Sequence, residues 1–319
     1  MADTASGLVS IVIPTFGRPL ELRSAVASAL RQELPEGHEL EVVIAVSDPS
    51  RTEDVQAAQE LGEDRRVRVA MGSAQGAGAA RNAAIEASSG FAVAFMDDDC
   101  EAQEGWLREA LKVLEDGADL VQGRTTSERL VNWQEHSVEV DPPSWLWETC
   151  NLLVRRSAIE SAGGFHASWS ASGKYQWGED TEWGWRLVRA GARPGFAPKA
   201  VVYHQVQPWS YLDHLRYRAR QRNFPRLIRT APEVRQRFYH GYFLSRRHAM
   251  ISVGLGMIGV GIAARVAGRR GLSTSLIAGA GLMYLKPYAA EILQRRLPED
   301  VVDYAAVLYG SIRYRRLLI

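Results

Sequence analysis

A short apolar, β-branched run is followed by a segment of helical periodicity four times in succession, and this alternation restricts the fold more than any other feature. The pairs are 9–13 with 20–30, 41–46 with 53–61, 67–71 with 79–87, and 92–96 with 106–114. Runs this short and continuous suit strands buried on both faces, with the helices as crossovers. The expected class is therefore α/β, a Rossmann-like, mainly parallel sheet flanked by helices. Ligands of such sheets sit beyond the carboxyl ends of the strands, so the residues just after each strand carry the search for a site.

The net charge of +1 hides a division along the chain. Residues 1–215 hold 19 Lys/Arg against 32 Asp/Glu, and residues 216–319 hold 19 against 5. The balance argues against a nucleic-acid partner, and the split marks two expected domains, 1–215 catalytic and 216–319 basic and helical. Two charge-free stretches, 249–264 and 271–285, are shorter than the roughly 20 apolar residues of a spanning helix. Rimmed by Arg265, Arg269, Arg270 and Lys286, they read as a helical hairpin that enters or lies on a membrane, or as a buried helical pair. Cys100 and Cys150 are too few and too separated for a disulfide framework or zinc site, and read as small buried hydrophobes. The start, Met1 to Gly7, has no basic or apolar leader, which places the catalytic part in the cytoplasm, peripheral at the inner face of the cell membrane.

Asp97, Asp98 and Asp99 directly follow the apolar run 92–96. If the chain stays extended, Asp97 and Asp99 project to one side. Adjacent carboxylates repel, and a hard cation such as Mn2+ or Mg2+ removes that cost while leaving positions for substrate phosphates; alone, the triplet fits a solvated acidic turn equally well. The glycine-rich turn 72–78 leads into a helix carrying Arg81, a candidate nucleotide contact. Glu179 and Asp180 open a second helix, where the dipole favours acids and where Asp180 is a candidate general base. His204 ends a short strand at 200–203 and is a metal ligand only if that strand lies beside Asp99. The tryptophans at 145, 147, 169, 177, 183 and 185 suit acceptor stacking or core packing alike.

Together these segments resemble the family 2 glycosyltransferases of the GT-A fold. The matching pieces occur in family order: Val9-Ser10-Ile11-Val12-Ile13-Pro14-Thr15-Phe16, Gly78-Ala79-Ala80-Arg81-Asn82, Phe95-Met96-Asp97-Asp98-Asp99, Asn151-Leu152-Leu153-Val154-Arg155-Arg156, Gly163-Gly164-Phe165, Gly178-Glu179-Asp180 and Tyr203-His204. The resemblance implies a nucleotide-sugar donor, a UDP-sugar favoured, with Pro14, Thr15 and Asp48 near the base and Asp97 near the ribose. It implies Asp99 on the metal, His204 as a metal or diphosphate contact, and Asp180 as base. Asp98 is grouped with the donor-binding side chains, and Trp177 and Glu179 are acceptor-side candidates. Family members often have two acids where this chain has only Asp48, and the Gln-x-x-Arg-Trp motif of processive synthases is absent after Asp180, so single-sugar transfer is expected.

The expected activity is that of a metal-dependent, inverting glycosyltransferase of hexosyltransferase type, acting on a lipid-linked or cell-envelope glycan precursor. Two rivals remain. A sugar-nucleotide nucleotidyltransferase would want a glycine-rich loop with lysine after the first strand, where Pro14-Thr15-Phe16-Gly17-Arg18 stands. A non-catalytic, membrane-attached carbohydrate-binding scaffold would keep the fold without turnover.

Overall fold

The computed structural model describes residues 7–141, 143–170, 177–285 and 290–319. The start, 1–6, and Lys286, both used above, lie outside these residues. The chain divides into two compact units, residues 1–209 and 210–319.

The strands of the first unit are β1 (Leu8–Thr15), β2 (Glu39–Val46), β3 (Val67–Met71), β4 (Ala92–Phe95), β5 (Cys100–Ala102), β6 (Leu120–Thr126), β7 (Glu135–His136), β8 (Leu152–Arg155), β9 (Pro194–His204) and β10 (Gln207–Pro208). Its helices are α1 (Pro19–Leu30), α2 (Thr52–Leu61), α3 (Ala77–Ala87), α4 (Trp106–Glu115), α5 (Arg156–Ala162), α6 (Ala167–Ser170) and α7 (Glu179–Arg189). One eight-stranded sheet runs in the order β3-β2-β1-β4-β8-β6-β9-β5, and β7 pairs with β10 separately. Only β8 and β5 oppose the other strands of that sheet, so the α/β, mainly parallel reading holds.

Alternation along the strands builds a core on each face. Val9, Ile11 and Ile13 of β1 pack with α1, α2 and α4, whereas Val12, Val43, Val93 and Phe95 pack with α3, α5 and α7. Each such aliphatic side chain, fully buried, contributes roughly 1.5–3 kcal/mol. Both faces being covered is why the first four strands read as unbroken apolar runs.

β9 begins at Pro194, earlier than the expected 200, because β6 pairs with it in two registers. Leu120–Gly123 face Pro194–Ala197, and after a shift Arg124–Thr126 face Val201–Tyr203. Asn151 locks that shift: its amide donates to Arg124 O (2.8 Å) and Ala200 O (3.0 Å) and accepts from the Trp106 indole (2.8 Å). Gly123 is required there, since a Cβ would lie 2.2 Å from Asn151 Oδ1.

The second unit contains α8 (Tyr211–Arg218), α9 (Phe224–Thr230), α10 (Arg246–Val266), α11 (Arg270–Leu285) and α12 (Ala290–Tyr314). α10 and α11 form a hairpin about Gly268, and Gly261 lets the helices approach until a Cβ would meet Ile277 Cγ1 at 3.1 Å. The expectation that both apolar segments are too short to span is corrected for the first. α10 has 21 residues and is long and apolar enough to cross a membrane, because the helix continues through Arg246, Arg247 and Arg265 beyond the charge-free stretch. Val253, Leu255, Val260 and Ile262 are exposed on it. On α12, Glu299 and Asp303 hold Arg218 at 2.9 and 2.5 Å, and Asp300 holds Arg247, so acids of this unit are tied to part of its arginine excess.

Candidate active site

The carboxylate run does not continue β4 as a strand. The chain turns after Phe95, with Cys100 N donating to Asp97 O at 3.2 Å, and β5 starts at Cys100. The condition under which Asp97 and Asp99 would project together, an extended chain, is not met; Asp97 pairs with Arg81 and Asp98 and Asp99 with Arg18, while the Asp97 charge still helps raise Asp99.

Asp98 and Asp99 are buried and share one cation. Arg18 Nη1 lies 3.1 Å from Asp98 Oδ1 and 2.9 Å from Asp99 Oδ2. The Phe16 N–H also donates to Asp98 (3.2 Å), and Gln207 Nε2 donates to Asp99 (3.0 Å). Burial pushes the Asp98 carboxyl up to about 6 against the opposing pull of Arg18. It raises Asp99 too, against the attraction of His204.

The condition set for His204 is met. β5 pairs antiparallel with β9, placing Cys100 opposite His204, and His204 Nε2 lies 3.6 Å from Asp99 Oδ1. One ligand atom from each of Asp99, Cys100 and His204 falls within 4.8 Å of the others. The set fits a divalent ion: the Asp99 carboxylate already pairs with a cation, Arg18, and the His204 imidazole stands beside it. Cys100 is the poorest donor, because burial raises its thiol well above the usual range and Mn2+ and Mg2+ favour oxygen. A cavity of about 510 Å³ opens here, lined by Glu21, Asp98, Asp99, Arg129 and His204 among others.

Asp97 joins a second charge system. Arg81, buried on α3, contacts Asp97 Oδ1 at 2.8 Å, Asp180 Oδ1 at 3.3 Å and Glu179 Oε1 at 4.0 Å. Burial alone would lower the Arg81 pKa; the three carboxylates, Asp180 foremost, more than reverse that. The other Asp180 oxygen accepts from Thr149 N (3.2 Å) and Thr149 Oγ1 (2.9 Å), so both its oxygens are engaged. Burial raises Asp180 despite Arg81. Burial, with Asp180 beside it, pushes Glu179 up to about 7, and Glu179 Oε2 is buried without a hydrogen-bond partner. Gly178, at φ +107, turns the chain from Trp177 into α7.

The nucleotide-side candidates cluster at the ends of β1 and β2. Pro14 and Thr15 close β1, paired with Ala45 and Val46. Asp48 follows β2 and accepts from Ser50 N (3.0 Å) and Oγ (2.7 Å), which holds its carboxyl below the usual range. The glycine-rich turn packs on this corner: Gly72 N donates to Val46 O (2.8 Å), and a Gly72 Cβ would stand 2.8 Å from that oxygen. Its small residues thus serve close backbone packing. Asn82 clamps Phe165 from both sides, Nδ2 to Phe165 O at 2.8 Å and Phe165 N to Oδ1 at 2.7 Å. Trp147, Trp169 and Trp183 are buried, whereas Trp145 is half exposed. Arg18, Thr149 and Gln207 were not foreseen, since their partners lie 80, 31 and 108 residues away, beyond any local pattern.

The sheet order, the acidic turn after β4 and the acids opening α7 define a glycosyltransferase of the GT-A fold. The family model for glycosyl transferase family 2 matches residues 10–167, and the chain belongs to that family. It is 25% identical over 221 residues to the glycosyltransferase AglE of Haloferax volcanii, covering 66% of this chain and 71% of that one. It is 28% identical over 253 residues to the succinoglycan biosynthesis protein ExoM of Rhizobium meliloti, covering 72% and 78%. Its fold is similar to that of the mannosyltransferase PcManGT from Pyrobaculum calidifontis, solved in complex with GDP-Man and Mn2+, at a TM-score of 0.57 and 16% identity, covering 96% of this chain and 86% of that one.

Proposed function

We propose that this glycosyltransferase moves one sugar, with inversion, from a nucleotide-sugar donor to a hydroxyl of a lipid-linked or cell-envelope glycan precursor. The observation that carries the reading is the Asp97–Arg81–Asp180 chain, which ties the turn after β4 to the first turn of α7. A donor seated over Pro14, Thr15 and Asp48 meets Asp97 at its ribose, and the acceptor approaches from the side of Asp180, Glu179 and Trp177. The relatives support a role in glycan assembly, and a neighbour solved with GDP-Man and Mn2+ supports a nucleotide-sugar donor. A UDP-sugar remains the favoured donor.

Asp99 and His204 would hold Mn2+ or Mg2+, which when bound offsets charge on the departing nucleoside diphosphate. Asp180 removes the acceptor proton, held in place by Thr149, with Arg81 favouring its ionised form against the pull of burial. Attack from the face opposite the leaving group inverts the anomeric carbon without a covalent intermediate. A second reading gives the proton to Glu179, because its Oε2 is unpartnered and its carboxyl stands at about 7, near the optimum for a base at neutral pH. We assign the 216–319 region to peripheral membrane contact, on the strength of its arginines and the exposed apolar residues of α10.

The test is release of nucleoside diphosphate from a panel of UDP-, GDP- and TDP-sugars with Mn2+, for wild type and Asp99→Asn. Turnover by wild type that Asp99→Asn abolishes is expected. Release of pyrophosphate would favour the nucleotidyltransferase, and no turnover with any donor would leave the scaffold reading.

A further inference from the structure

Arg18 sits where the chain leaves β1, and the turn before it is tightly built. Gly17 adopts φ +72, its N–H donates to the buried Asp54 at 2.7 Å, and a Cβ there would stand 2.9 Å from Arg51 Nη2. The turn fixes where Arg18 starts, and Arg18 is the residue preceding α1 without capping it through its side chain. Its guanidinium reaches across to both Asp98 and Asp99 while 38% of the side chain stays exposed. Two buried carboxylates side by side need a counter-charge. Arginine keeps its proton throughout the accessible pH range, so this charge is removed only by moving the side chain.

We propose that Arg18 is a built-in counter-cation at the divalent-ion position. It competes with the ion for Asp99 and yields when ion and donor arrive together, the donor diphosphate then taking the guanidinium. This rests on the reading of Asp99 as a metal ligand. Arg18 is a positioning residue: it suppresses binding of the ion alone and couples ion to nucleotide. Because coupling is reciprocal, the ion must strengthen nucleotide binding as much as the nucleotide strengthens ion binding.

Free Mn2+ measured by electron paramagnetic resonance during titration of the full chain tests this without turnover. Arg18→Gln should bind Mn2+ alone on the order of ten-fold more tightly than wild type, within the range of ordinary coupling energies. Arg18→Lys, which keeps the charge but loses the guanidinium and its reach, should fall between them. Arg129→Gln removes a cation from the same cavity that pairs with Glu135 instead, and should change Mn2+ affinity little. Added UDP or GDP should tighten Mn2+ binding more in wild type than in Arg18→Gln. Asp99→Asn identifies the ion counted as the one at this site. If Asp99→Asn abolishes binding while Arg18→Gln binds Mn2+ alone no tighter than wild type, the Arg18 proposal falls and the metal site stands. If no variant binds Mn2+, or Asp99→Asn is without effect, both fall. Should Arg18→Gln fail to fold by circular dichroism, Arg18→Lys carries the same comparison, and an affinity equal to wild type overturns the proposal.

Discussion

Replacing Arg81 by glutamine leaves three carboxylates, Asp97, Glu179 and Asp180, around a neutral side chain. Removing one partner of a buried ion pair costs about 3–5 kcal/mol. Asp97 and Asp180 retain 29% and 25% side-chain exposure, which admits water and places the loss near about 3 kcal/mol. For a unit of this size that lowers the melting temperature by about 6–12 °C. All nine tryptophans lie within residues 1–209, so tryptophan fluorescence reports the melting of this unit alone.

The loss must also depend on pH, with a definite sign. Burial has already raised Glu179 to about 7 and lifted Asp180 above its usual value with Arg81 in place. Without the guanidinium both rise further. A group whose pKa is higher folded than unfolded favours the fold while protonated, and that contribution disappears as pH climbs through the folded value. Arg81→Gln should therefore melt close to wild type at pH 5 and show its full deficit by pH 8, with Arg81→Lys recovering part of it. An equal deficit at both pH values would refute the charge argument and reduce Arg81 to a packing residue.

Asp180→Asn should lower turnover by about 10²–10⁴-fold, while Glu179→Gln keeps most of the rate. The reverse pattern would transfer the base role to Glu179. Gly123→Ala forces a Cβ to within 2.2–2.5 Å of the Asn151 amide and should cost about 1–3 kcal/mol in melting experiments. A wild-type melting curve would show that Asn151 does not lock the β6–β9 register. Val260→Glu places a charge on an exposed position of α10 and should weaken sedimentation with phosphatidylglycerol vesicles without altering the fold. Unchanged sedimentation would remove α10 from the membrane contact.

What was legible in the sequence follows the range of the interactions that create it. β1 to β4 were readable because burial on both faces writes itself into consecutive residues, and α1 to α4 because one apolar stripe repeats along each helix. β5 has three residues, too few to show a pattern, and it exists because β9 lies beside it. The length of α10 was underestimated for a local reason: terminal arginines end a charge-free count without ending a helix.

The carboxylate run shows the same limit at the scale of one turn. Three adjacent aspartates are visible in the sequence, but which two act together depends on whether the chain stays extended after Phe95. Extension would pair Asp97 with Asp99, whereas the observed turn pairs Asp98 with Asp99 on Arg18 and commits Asp97 to Arg81. Arg18 and Arg81 both precede the run in sequence, by 79 and 16 residues from Asp97, and neither carries a local mark of its partner. The turn thus divides one acidic segment between two cations: one partly exposed and held by two carboxylates, the other buried and held by three. That difference in exposure suits the first to the exchange with a metal ion proposed above and the second to holding the acids of α7 in place.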